Sequence, residues 1–169
     1  MDSITYTRGA RALHWIMAIL IIANLIGGLL HDALGDWVMP LHKSTGLLVL
    51  ALALFRLGWR LAHPVPAYPA TMAAWEKLVA AVTHVILYAM MILIPLSGWI
   101  MSSAGRWPLD FYGLFPVPKF AVSKGDAIVG ISHEGHELLA YAMIALLLLH
   151  VAAALRHHFL LKDDVLRRM

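Results

Sequence analysis

Apolar residues gather in four long stretches separated by shorter polar segments. Each stretch is close to the roughly 17 to 25 residues that an α-helix needs to cross a bilayer. The predicted spans cover approximately residues 14–30, 44–59, 78–101 and 138–155. The pattern predicts an all-α integral membrane protein, a four-helix transmembrane bundle in which residues 1–169 form one domain.

The segments between the spans contain turn-forming residues. HDALGDWVMP at 31–40 predicts a short turn, and AHPVPAYPATM at 62–72 predicts a proline-rich connection without helix. Residues 102–131 predict a long loop that contains glycine and proline.

The composition supports a membrane protein. Apolar residues make up 61% of the chain and charged residues 14%, and the mean hydropathy is +0.76. Soluble domains average about 45 to 50% apolar and about 25% charged residues. We therefore expect lipid to surround most of the protein.

Basic residues are unevenly divided between the two sides of the predicted bundle. Under the positive-inside rule the side that is richer in Lys and Arg is cytoplasmic, so both termini are predicted in the cytoplasm. The basic residues are dispersed at the membrane edges, which argues against nucleic-acid binding. The side of the termini carries Arg8, Arg11, Arg56, Arg60, Lys77, Arg156, Lys162, Arg167 and Arg168, and the other carries Lys43, Arg106, Lys119 and Lys124.

Histidines inside the predicted spans are the main candidates for chemistry. The chain has no cysteine, so disulfides, iron–sulfur clusters and thioether-attached haem are excluded. His42 and His136 are predicted at the outer level, and His14, His84 and His150 at the cytoplasmic level. Ionisable residues inside membrane spans are rare and usually functional.

Two histidine levels favour two haems over a structural metal site. A structural zinc or copper site needs three or four ligands, whereas a haem needs two axial ligands. We expect an outer pair of His42 with His136 and an inner pair of His14 with His150. His84 has the right depth to replace either inner ligand.

A fourteen-residue interval supports this arrangement. Fourteen residues turn a helix by roughly 1400°, close to four full turns, so His136 and His150 share one face about 21 Å apart. The same interval links His42 to Arg56, whose guanidinium could meet a haem propionate at the inner level. It also places Gly28 and Gly98 at the outer level, where they either clear room for a porphyrin or let helices pack closely.

Several motifs resemble one known family, the bacterial cytochrome b561 proteins, and more broadly the di-haem cytochrome b subunits of membrane hydrogenases and formate dehydrogenases. The resemblance covers nearly the whole chain. The matching motifs are LHW at 13–15, LHKSTG at 41–46 followed by Arg56, TH at 83–84, HE at 136–137 and LHVAAALRHHFLLKDD from 149.

The resemblance implies a four-helix bundle that binds two haems b in the bacterial inner membrane. It implies axial ligation of one haem by His42 and His136 and of the other by His14 and His150, leaving His84 out of the ligand set. The implied activity is electron transfer across the membrane to quinone. The most similar stand-alone members look like superoxide oxidases, which oxidise superoxide at the periplasmic side and reduce ubiquinone.

Two further groups of residues have possible roles in this activity. Arg106, Lys119 and Lys124 make the outer loop mildly positive, which either attracts a small anion or only keeps the loop soluble. His84, His157, His158 and Lys162 are candidates for the quinone site or for proton relay, since imidazoles titrate near neutral pH.

Two other classes of function remain open at this point. One is an electron-transfer subunit that serves a separate periplasmic or membrane redox partner and has no catalysis of its own. The other is a haem-free transporter or sensor whose histidines line a polar path.

Overall fold

The computed structural model describes residues 5–63, 66–69, 71–163 and 165–166. Four long helices and one short helix dominate these residues. In chain order the elements are α1 (Arg8–Leu29), α2 (His31–Leu34), α3 (Val38–Ala62), α4 (Ala74–Ser103), β1 (Asp110–Phe111), β2 (Phe115–Pro116), α5 (Ala127–Arg156) and a π-helical turn (His157–Leu161).

The four long helices confirm the predicted membrane bundle. Each contains an 18-residue window with a mean hydropathy between 1.6 and 2.4. Most of their large apolar side chains are exposed on the outside of the bundle, for example Ile19, Val85 and Leu148. Helices that are apolar all round belong either in a large core or in lipid, and only lipid can cover these faces.

The helices pack in chain order. Extensive contacts join α1 to α3, α3 to α4 and α4 to α5. Among the described residues, α5 shares no comparable surface with α1 or α3. The bundle therefore has a gap beside α5 on the side away from α4.

Because the helices alternate in direction, the bundle has two distinct ends. At one end α1 begins and α5 finishes, and an ion pair between Arg156 and Glu76 (2.9 Å) joins α5 to the start of α4. We call this the terminal end. The opposite end holds α2 and residues 104–126, and we call it the loop end.

The connections differ from the sequence predictions in two places. Residues 31–40 form the helical turn α2 and the start of α3 instead of a simple turn, and α5 begins at Ala127 instead of after residue 131. Hydropathy marks only the part of a helix that lies in lipid, whereas backbone hydrogen bonding continues into the polar flank. Of the proline-rich connection at 62–72, residues 64, 65 and 70 lie outside the described residues, and Pro66–Pro69 are not helical.

Candidate functional site

Two imidazoles from different helices face each other at the loop end. The ring centres of His42 on α3 and His136 on α5 are 6.1 Å apart, and the ring planes are inclined by 76°. Metal–imidazole bonds of about 2.0 to 2.1 Å on opposite sides of one ion would place two ring centres slightly more than about 6 Å apart. The spacing therefore fits a pair of axial ligands.

Backbone carbonyl groups fix the orientation of both rings. Nδ1 of His42 donates to the carbonyl oxygen of Asn24 (3.0 Å), and Nδ1 of His136 donates to that of Ile94 (2.8 Å). A carbonyl oxygen can only accept, so Nδ1 carries the proton in each ring. The Nε2 lone pair is then left for a metal, which is the usual arrangement of ligating histidines.

Ser97 adds a third polar contact at this level. Its hydroxyl donates to the carbonyl oxygen of Ile94 (2.8 Å), and Oγ of Ser97 lies 3.2 Å from Nδ1 of His136. Since the hydroxyl proton points to Ile94, a lone pair of Ser97 faces the imidazole N–H. The ring of His136 is thus held by two acceptors on α4.

Two glycines make room for the imidazoles. A Cβ atom added at Gly28 would lie 2.7 Å from Cε1 of His42, and one added at Gly98 would lie 3.0 Å from Cε1 of His136. Any side chain at Gly28 would collide with the ring, and one at Gly98 would press on it. Both glycines do lie at the level predicted from the fourteen-residue interval, and the space they leave is filled by the histidine rings.

A large cavity surrounds the loop-end pair. Its volume is about 590 Å³, which is within the usual range of cofactor sites. Its wall is mainly apolar, with residues such as Leu25, Val49 and Ile144. Besides the pair, the wall also contains His31, His133, Asp32, Lys43 and Glu137. Within the described chain, no group of three or more His, Asp or Glu side chains is placed to hold a metal ion. Two imidazoles in an apolar cavity fit a haem better than a multi-ligand metal site.

The terminal end also gathers imidazoles, three of them around a smaller cavity. The ring centres of His84 and His150 are 5.6 Å apart, and His14 lines the same cavity. This cavity has a volume of only about 80 Å³. Nδ1 of His84 is buried and has no hydrogen-bond partner among the described residues. The pairing of His14 with His150, which the sequence predicts, therefore remains a prediction.

Two arginines and a tyrosine share the terminal-end cavity. The guanidinium of Arg56 donates from Nε to the hydroxyl of Tyr88 (3.1 Å) and from a terminal nitrogen to the carbonyl oxygen of Ala10 (3.2 Å). Arg60 lies over the ring of Tyr88, 5.8 Å from its centre. Arg56 thus lies at the inner level, close to the histidines, where an anionic group could meet it.

The sequence analysis missed Arg60 and Tyr88 as members of this cavity. The signal was available, because Arg60 follows Arg56 by four residues and Tyr88 follows His84 by four. Side chains four apart lie on the same helix face.

The remaining candidates at the terminal end lie at the end of α5. Nδ1 of His157 pairs with a carboxylate oxygen of Asp163 (2.6 Å), and both side chains are buried. His158 packs edge-on against Phe159, and Lys162 is exposed in the left-handed conformation. The pairing with Asp163 had no signal in the sequence, because the π-helical turn changes the helical spacing at this point.

The three predicted steering residues differ in their surroundings. Arg106 lies over the ring of Trp107, 5.4 Å from its centre, and Nζ of Lys119 donates to the carbonyl oxygen of Gly105 (2.6 Å). Lys124 is exposed. All three lie in the segment between α4 and α5, at the loop end.

Paired imidazoles on separate helices of an apolar four-helix bundle define a membrane cytochrome of the b type. Comparison with known proteins agrees: the family model for prokaryotic cytochrome b561 matches residues 5–169. The chain therefore belongs to the prokaryotic cytochrome b561 family, which confirms the resemblance found in its motifs. It is a bacterial membrane protein of a family that carries electrons and binds b-type haem.

Relatives in this family cover almost the whole chain. Cytochrome b561 homolog 2 of Escherichia coli is 32% identical, over 94% of this chain and 87% of the relative. Cytochrome b562 of Cereibacter sphaeroides is 33% identical, over 97% and 94%. A probable superoxide oxidase of Yersinia pestis is 27% identical, over 93% and 90%.

Proposed function

We propose that this protein is a di-haem cytochrome that oxidises superoxide at the loop end and reduces ubiquinone at the terminal end. The net reaction is that two superoxide anions, one ubiquinone and two protons give two molecules of dioxygen and one ubiquinol. The observation that carries the proposal is the presence of imidazoles from different helices at both ends of one apolar bundle. The 27% identity to a probable superoxide oxidase supports the choice of donor.

Haem b, when bound, supplies a reversible one-electron couple on each side of the membrane. The protein supplies the ligands and their environment. His42 and His136 would hold the haem iron through Nε2, because the carbonyl groups of Asn24 and Ile94 keep the proton of each ring on Nδ1. The mainly apolar wall of the cavity would lower the local dielectric constant and so tune the potential.

At the terminal end we assign axial ligation to His14 and His150. His150 on α5 and His84 on α4 belong to helices that pack directly on each other, at the usual axial separation of about 8 to 10 Å. A flat macrocycle needs a wider gap, and α1 and α5 do not share an extensive contact. The loop-end pair also comes from helices without an extensive contact, namely α3 and α5. His84 would then line the site without being a ligand.

Charged and polar groups at the terminal end complete the proposed reaction. Arg56 lies near the inner cavity and would pair with a haem propionate. Reduction of ubiquinone consumes protons, and His157 hydrogen-bonded to Asp163 forms a dyad that can pass them from water. His84, His158 and Lys162 are further candidates for the quinone or proton site. In this orientation both termini face the cytoplasm, following the distribution of basic residues.

The purified protein tests this function directly. After superoxide is mixed with the protein in detergent, the haem absorbance should change to the reduced form, and added ubiquinone should return it to the oxidised form. An electron-transfer subunit that needs a protein donor would bind haem but would not be reduced by superoxide. A haem-free transporter or sensor would show no Soret absorbance.

A further inference from the structure

Residues 105–126 fold back onto the loop end of the bundle beside the cavity, and we call this segment the loop cap. It includes the two-residue strand pair β1 and β2. The amide of Val117 donates to the carbonyl oxygen of Leu109 (2.7 Å), which closes the hairpin next to the strands. The side chain of Leu109 is only 5% exposed and forms part of the cavity wall. The loop cap therefore contributes directly to the site that surrounds His42 and His136.

A buried serine attaches the loop cap to the helix that carries an axial ligand. Ser44 follows His42 by two residues on α3 and is 2% exposed. Its hydroxyl donates to the carbonyl oxygen of Asp110 (3.0 Å) and accepts from the amide of Tyr112 (2.9 Å). The next residue, Thr45, shares a hydrogen bond with the hydroxyl of Tyr112 (2.8 Å).

The backbone at the attachment point is held in an unusual conformation. Tyr112 has φ 52°, in the left-handed region that residues other than glycine rarely adopt. Such a conformation persists only when the surrounding contacts fix it, and it is frequent at functional sites. Here the amide and the hydroxyl of Tyr112 are both bonded to α3.

The other half of the loop cap is attached to α4. The indole nitrogen of Trp99 donates to the carbonyl oxygen of Pro118 (2.9 Å). Within the cap, Nζ of Lys119 donates to the carbonyl oxygen of Gly105, the first cap residue (2.6 Å). The cap is thus fixed to α3 and α4, and its Leu109 forms part of the cavity wall.

We infer that the loop cap is a size filter for electron donors and that Ser44 is the residue that positions it. The size filter requires that a small anion reach the cavity past the loop cap while a folded protein is held away from it. This inference rests on the proposed function, because it selects a small-molecule donor over a protein donor for the same loop-end site. It assigns to Ser44 a role in specificity and none in ligation.

The experiment compares two reductants on the haem-loaded protein. Dithionite serves as the small donor and reduced flavodoxin as the protein donor, and the rate of haem reduction is followed by absorbance. In the unmodified protein flavodoxin should be slow and dithionite fast. In Ser44→Ala the loss of two hydrogen bonds should raise the open fraction of the cap, and with it the flavodoxin rate, on the order of 10-fold. The dithionite rate should not change.

Two further variants control the test. Ser103→Ala removes another buried hydroxyl at the loop end, one that bonds only within its own helix, to the carbonyl oxygen of Trp99 (2.8 Å). It should leave both rates unchanged. Ser44→Thr keeps a hydroxyl and should restore exclusion of flavodoxin. If Ser44→Ala does not fold, Leu109→Ala loosens the cap from the cavity side and should raise the flavodoxin rate.

Hydrogen exchange provides a readout that does not depend on electron transfer. The amide of Tyr112 should exchange faster in Ser44→Ala and at the original rate in Ser103→Ala. Faster exchange without faster reduction by flavodoxin would overturn the size filter. So would an unmodified protein that flavodoxin and dithionite reduce equally fast. If flavodoxin is excluded but superoxide does not reduce the haem, the filter stands and the proposed donor is wrong.

Discussion

The two ends of the bundle differ in how their histidines are hydrogen-bonded and in the size of the cavity beside them. At the loop end the two rings are hydrogen-bonded to backbone carbonyl groups and enclose a cavity of about 590 Å³. At the terminal end three imidazoles surround about 80 Å³, and Nδ1 of His84 has no partner among the described residues. The loop end is a preorganised ligand site. The cavity at the terminal end is much smaller, and its three imidazoles allow more than one ligand pair.

Removing a loop-end ligand should have the largest effect. His42→Ala and His136→Ala should each lower the haem content by about half, because alanine cannot replace an axial ligand. The haem content is measured as pyridine haemochrome per polypeptide. His63→Ala is a matched control, since His63 is exposed and, among the described residues, contacts its own helix through the carbonyl oxygen and ring of Trp59. A full haem content in either ligand variant would show that the loop-end pair does not bind haem.

The next test decides between two inner ligands at the terminal end. His14→Ala should lose the second haem, whereas His84→Ala should keep it with an altered absorbance or potential. The reason is that α4 and α5 pack too closely to hold a macrocycle between His84 and His150. The opposite result, loss in His84→Ala and retention in His14→Ala, would replace the proposed pair.

Substitution of the glycines should weaken the loop-end site without removing a ligand. An added methyl group at Gly28 would lie 2.7 Å from the ring of His42, so Gly28→Ala should reorient the ring. Overpacking costs about 1 to 3 kcal/mol, which corresponds to roughly 5- to 150-fold weaker haem binding. Gly98→Ala, at 3.0 Å from His136, should have a smaller effect.

The control for both glycine variants is Gly58→Ala, because among the described residues no atom beyond its own stretch of helix lies within 4 Å of the added group. Haem retention is measured by transfer to apomyoglobin. Equal retention in Gly28→Ala and Gly58→Ala would mean that the ring of His42 does not need the space beside Gly28.

The smallest effect concerns attraction of the donor. Lys124→Gln should slow haem reduction by superoxide at low salt and have little effect at about 1 M salt, where the Debye length is only about 3 Å. Lys119→Gln is a harder case, because it also removes a hydrogen bond to Gly105. The salt dependence of haem reduction is measured by stopped flow over a range of ionic strength. A rate that is independent of salt would exclude steering by the loop cap.

The features that follow from hydropathy and from helical periodicity could be predicted from the sequence. The four spans follow from hydropathy, and the two histidine levels follow from the fourteen-residue interval, because a helix repeats its direction after nearly four turns. The sequence could not predict that the carbonyl oxygens of Asn24 and Ile94 accept hydrogen bonds from His42 and His136. These are backbone groups, and their position depends on how the helices pack. Ser44 was also missed, since a hydroxyl near a ligand has meaning only once residues 105–126 fold back onto α3.

The most direct test of the account is a haem count with spectroscopy on the purified protein. The account predicts about two haems b per polypeptide, both low-spin in electron paramagnetic resonance, because each iron would have two imidazole ligands. Variants at His42 and His14 should each remove a different one of the two signals. A polypeptide without haem, or a single low-spin signal that is lost in both variants, would contradict the presence of separate sites at the two ends.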